Sequence, residues 1–280
     1  MAGSGEAAIQ PIPKDATWSL LLRKDDKVAY RGVVGSDPVG APSAQMTYPA
    51  PNAAGLLVAV ITHGVIVDSI RSGERDRQQK AADMVLSPYQ GVLDDFRQQA
   101  LMGRALERTT SPLGKKLLAS IDEAGGTWIV ESAPMFSMTQ DRRAIVLDNL
   151  VSIYAPGGPS SPTLQNNVRV VSQPRDAEGI ADFWSADQGG NLKDESAGLL
   201  AQSLDIVLSE VANEANVEGR PQKTVRYLEG GAEKMERAEI ISEHCGRVVI
   251  RTLRGWLMSV PKAGAARTAD KCGDPGAPSL

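Results

Sequence analysis

Two histidines, His63 and His244, bound the acid-base chemistry open to this 280-residue chain. A serine nucleophile needs an imidazole beside it, and no serine stands in the G-x-S-x-G elbow that exposes one. His244 and Cys245 are adjacent and could form a thiol-imidazole pair. Neighbours on a strand point to opposite faces, however, so only a turn would bring them together. Two histidines and two cysteines lack the close paired spacing of a structural zinc site. The adjacent carboxylates Asp25-Asp26 and Asp94-Asp95 do not share a helix face and read as solvated charges. Neither glycine pattern that cradles phosphate occurs, and Gly189-Gly190-Asn191 reads as a loop with a helix cap. No catalytic, cofactor-binding or metal residue is therefore nominated, and an enzyme is not expected.

Residues suited to contact are easier to find. Arg251, Arg254 and Trp256 form a small basic and aromatic cluster, and Met138 to Arg143 is a polar turn between strand signals. Either could meet a partner. Alternation puts Arg247, Val249 and Arg251 on one strand face, expected to be the solvent face. The two cysteines, Cys245 and Cys272, fit one disulfide of an oxidising compartment. It would close a loop of about 27 residues and contribute about 3 to 4 kcal/mol in the chain-entropy model.

Composition narrows the partners. With 30 basic against 34 acidic residues the formal charge is -4, which disfavours a nucleic acid held through its phosphates. Four tryptophans, five tyrosines and three phenylalanines leave few stacking platforms, so Leu, Val, Ile, Met and Ala must build the core.

The elements that must position these residues centre on Ala53 to Ile70, the densest apolar run. Its β-branched residues favour strand, yet its length exceeds that of strands, so one helix from Ala53 to Leu86 capped by Asn52 is expected. The uncharged part is too short to span a bilayer, and no membrane-spanning segment is expected. A hairpin of Thr17 to Arg23 and Val28 to Val34 precedes it. A second helix starts at Ser87-Pro88 with an apolar stripe through Leu106, and a third covers Pro112 to Ala124. Strands follow at Thr127 to Glu131, Ala144 to Tyr154 and Asn167 to Gln173, the last two antiparallel. Pro174 to Asn191 reads as irregular and Leu192 to Ala215 as an amphipathic helix. Strands return at Thr224 to Leu228, Arg237 to Ser242, Arg247 to Leu253 and Trp256 to Val260.

This order predicts an α+β fold: an antiparallel or mixed sheet with long helices packed on one face and a β-rich C-terminal part. Residues 1–16 are expected as a disordered tether, 17–260 as one domain and 261–280 as a loose tail. The small, polar start lacks the features of a signal peptide and is tether-like in composition. The expected function is that of a non-enzymatic exported protein, periplasmic or outer-membrane-anchored, with lipid anchoring or peripheral membrane association, that binds a protein partner. The alternative function is a small-ligand binder or hydrolase with a pocket between the first helix and the sheet, with His63 titrating; the alternative location is the cytoplasm. Oligomeric state is left open.

Overall fold

The computed structural model describes residues 16–22, 26–34, 69–110, 116–157, 161–213 and 220–264. Its frame is a mixed sheet of ten strands. In chain order these are β1 (Trp18–Leu21), β2 (Ala29–Gly32), β3 (Lys116–Leu118), β4 (Trp128–Met138), β5 (Ile145–Tyr154), β6 (Leu164–Val171), β7 (Gln222–Glu229), β8 (Ala232–His244), β9 (Arg247–Thr252) and β10 (Leu257–Pro261). Strands neighbour one another in the order β3-β1-β4-β5-β6-β10-β9-β8-β7, with β2 also on β4. The expected mixed sheet is present, but the expected cover of long helices is corrected: strands dominate the described elements. The helices are α1 (Ser69–Asp83), α2 (Gln90–Asp95), α3 (Gln98–Arg108) and α4 (Ile180–Asn213).

The first two strands correct the expected hairpin. Both run parallel to β4 on the same edge, β1 against Trp128–Glu131 and β2 against Met135–Met138. Pro134, which has no N–H to donate, lies in the gap where the edge partner changes. The exposed edge of β2 is then closed by α1: Gly32 N–H donates to Asp83 Oδ1 at 2.8 Å, and Gln79 Nε2 donates to the Gly32 carbonyl at 3.1 Å. Of the long first helix, Ser69–Asp83 is helical, while 53–68, with Asn52 and His63, lie outside the described residues.

The second expected helix is broken at Phe96, which is extended (φ -82°, ψ 111°). Tertiary pairing overrides the apolar stripe there, because Val28 N–H donates to the Phe96 carbonyl and Gln98 N–H to that of Asp26. The third is replaced by β3, parallel to β1, and a single 3-10 turn, Ile121–Ala124, capped by Ser120.

β4, β5 and β6 form an antiparallel meander, as expected for the last two. Helix α4 then crosses over and leads into the meander β7-β8-β9-β10, whose last strand returns parallel to β6. Leu192, Leu199, Leu200, Leu204 and Val207 of α4 are buried against Leu147, Val151, Val168 and Val170 of β5 and β6. Polar connections cross this core: buried Asn149 accepts from Ser132 at 2.8 Å and donates to Ser203 of α4 at 2.8 Å, and the Tyr30 hydroxyl of β2 meets that of Ser196. The segment expected to be irregular is helical from Ile180, then interrupted by left-handed residues Asp187, Gln188 and Gly189.

The other face of the sheet carries a second core: Val146, Val171, Val225, Tyr227, Ala238, Val248, Ile250, Met258 and Val260. It forms because the C-terminal meander curls back. Tyr227 bridges to Lys262, and Ala263 N–H donates to the Arg226 carbonyl at 3.0 Å.

Candidate functional site

The nominated contact residues lie on and beside the β9–β10 turn. Gly255 takes φ +78°, the left-handed position of a three-residue hairpin loop. Gly255 N–H donates to the Thr252 carbonyl at 2.9 Å, Thr252 N–H to the Trp256 carbonyl at 2.9 Å, and Trp256 N–H to Thr252 Oγ1 at 3.2 Å. From β6, Asn166 Nδ2 donates to the Gly255 carbonyl at 3.2 Å. The turn is thus fixed by four hydrogen bonds, and it holds the Arg254 guanidinium 5.9 Å from the centre of the Trp256 ring.

The structure separates Arg251 from the other two. Its Nη2 lies 2.6 Å from Glu210 of α4, in a largely buried ion pair. The face holding Arg247, Val249 and Arg251 is therefore turned toward α4, which corrects the expected solvent face. Arg247 is deepest, donating to the carbonyls of Val171 (2.8 Å) and Ser259 (3.0 Å). Burial pushes its guanidinium down to about 10, with the charge of Glu195 opposing.

Two residues of the site escaped the sequence reading: Leu253, 60 % exposed, and Met235, 62 % exposed. The register pairs Ala238 with Thr252, which sets Leu253 level with Arg237, two residues along β8 from Met235. The available signal was Met235 standing alone among charges in Glu233-Lys234-Met235-Glu236-Arg237.

The polar turn Met138–Arg143 joins two ends of the sheet. Asp141 Oδ2 accepts from Gly231 N–H at 2.6 Å, tying the β4–β5 tip to the β7–β8 tip. Its Oδ1 accepts from Thr139 Oγ1 and Arg143 N–H. Burial alone would raise this carboxyl, but those three hydrogen bonds and the Arg143 charge outweigh it and hold the group below its ordinary value. A depressed folded pKa stabilises the fold above the unfolded value, near 3.9, and is lost as pH falls through the folded value. Asp141→Asn should cost about 1 kcal/mol at pH 7, the group being exposed enough for solvent to screen it. Urea midpoints of the two proteins should stay apart from pH 7 down to about pH 4 and draw together only below it.

On the curled side, Arg169 grips Asp148 with two hydrogen bonds, Nε–Oδ1 at 2.6 Å and Nη2–Oδ2 at 2.9 Å. Arg31 lies 3.7 Å away. Burial would lower Arg169, yet the bonds to Asp148 and the charges of Asp148 and Glu229 keep it raised. Burial raises Tyr227, and burial raises Glu236 against the pull of Arg254 and Arg169. Arg31, Arg169 and Arg254 balance Asp148, Glu229 and Glu236 in charge. The group seats the β7–β8 hairpin on the back of β5 and β6.

His244 ends β8, and Cys245 (φ 50°) and Gly246 (φ 71°) make the two-residue turn into β9. Cys272 and His63 lie outside the described residues. Among the described residues no group of three His, Cys, Asp or Glu could hold a metal ion, and no helix is long and apolar enough to cross a membrane. No family model, curated protein or solved structure matches this chain.

Proposed function

We propose that this chain is a non-enzymatic exported protein of the cell envelope that binds another protein through the β9–β10 turn, with Leu253, Arg254 and Trp256 on the turn and Met235 beside it. The observation that carries the reading is two large exposed apolar side chains, Leu253 on the turn and Met235 on the neighbouring strand, close to a rigid turn that holds Arg254 near Trp256. Met, Trp and Arg are the residue types enriched in interface cores, and a rigid turn loses little freedom on binding. Two of the sheet edges offer less: β2 is capped by Gln79 and Asp83, and Tyr227 of β7 is bridged to Lys262.

The proposal includes export, membrane association that is peripheral or lipid-anchored, and a Cys245–Cys272 disulfide. The path of β10 supports that pairing. Lys262 N–H donates to the Gly246 carbonyl at 2.8 Å, so the chain leaves the sheet beside Cys245. Ten residues further on, Cys272 has ample reach, at about 3.3 Å per residue, to return.

A photo-crosslinking residue at Leu253 in the native host should give a protein adduct, and one at Ile121, also exposed, should not. Adding Trp256→Ala should cut the Leu253 adduct about tenfold, a loss of about 1.4 kcal/mol. An equal adduct with and without Trp256 would remove the turn from the contact.

A further inference from the structure

We infer that the partner at this surface is a second copy of the chain, packed two-fold on the face of β8 that lies away from the second core and beyond the part α4 covers. The inference rests on the contact reading above and goes further by naming the occupant. Along β8, side chains alternate. Ala238 is buried in the second core, so Met235, Arg237 and Glu239 share the opposite side.

Most charges beside that row are already committed. Arg226 pairs with Glu233 at 3.0 Å, and Arg251 pairs with Glu210 at 2.6 Å. The side chains of Arg237 and Glu239 make no hydrogen bond or ion pair with another described residue. They are opposite in sign, two residues apart, and next to the exposed Met235 and Leu253.

A two-fold contact requires this arrangement, since residue i of one copy meets j of the other and j meets i. With β8 antiparallel to its copy, Arg237 faces Glu239 twice, and Met235 and Leu253 are covered beside the ion pairs. A foreign partner would need an acidic and a basic group placed to match; a second copy carries both. The net charge of -4 opposes association only weakly.

Sedimentation of the purified full chain tests this. The protein should be dimeric at about 100 µM and dissociate on dilution toward 1 µM, the range expected of a small interface. Arg237→Glu and Glu239→Arg should each weaken the dimer at least about tenfold, because each sets like charges together. The combined R237E/E239R protein should recover to within about threefold of the original. That recovery is specific to self-pairing and also shows that the single variants did not fail by misfolding. A chain that stays monomeric at 100 µM, or a double variant no better than the singles, overturns the inference. If the Leu253 adduct is then a different protein and still depends on Trp256, the contact reading survives while the second copy is excluded. If the chain dimerises, the charge swap recovers and the Leu253 adduct ignores Trp256, the dimer stands and the turn is not its centre.

Discussion

Trp184→Ala is expected to destabilise the fold by about 4 kcal/mol, in the range for emptying a buried tryptophan site. Trp184 is fully buried and lies just before the left-handed residues Asp187 to Gly189. Its indole Nε1 donates to the Arg142 carbonyl at 2.7 Å, and its ring meets Phe183 edge-on at 4.9 Å between centres. Arg142 itself sits at φ 59°, a conformation costly for a residue with a side chain. Trp184 therefore fills the core and also holds the β4–β5 tip, the same tip whose Asp141 reaches Gly231. Trp184→Phe should cost about half as much, because the volume is largely kept while the Arg142 carbonyl loses its donor. Urea unfolding at pH 7 reads both. Equal midpoints for the Phe variant and the native protein would show that the indole bond contributes nothing.

Gly32→Ala should cost about 3 kcal/mol, at the upper end for a side chain forced into filled space. A Cβ on Gly32 would lie 1.9 Å from the Ala82 carbonyl oxygen and 2.3 Å from its carbon, both backbone atoms that cannot rotate away. Helix α1 must then leave the β2 edge, breaking the bonds from Gly32 to Asp83 and from Gln79 to Gly32. Faster proteolysis within 69–83 should accompany the lost stability. A Cβ on Gly103, in α3, would meet nothing within 4 Å. Gly103→Ala should stabilise by up to about 1 kcal/mol, a matched control in a helix interior. A native-like midpoint for Gly32→Ala would mean that α1 does not rest on β2.

Strands whose signal is local were legible. β5, β6, β9 and β10 alternate or run apolar between Gly and Pro turns, and the apolar face of α4 repeats at helical spacing. Elements decided by distant partners were not. β1 and β2 looked like a hairpin because a charged run separates them, whereas each adds to β4 more than a hundred residues away. Phe96 continues an apolar stripe, yet its carbonyl is used by Val28. Arg247 reads as a surface charge, and its burial follows from the carbonyls of Val171 and Ser259. The candidate site divides in the same way. The Arg254–Trp256 pairing depends on a short turn and could be read from sequence. The exposure of Leu253 and Met235 depends on which part of the sheet α4 leaves uncovered, and no local pattern records that.

The most direct test of a covered β9–β10 surface compares two methionines by oxidative footprinting. Met84 is 67 % exposed and Met235 62 %, so in dilute purified protein they should oxidise at similar rates. In the native host, with the surface occupied, Met235 should oxidise several-fold more slowly than Met84. Equal rates in both settings would leave the surface bare and contradict the account.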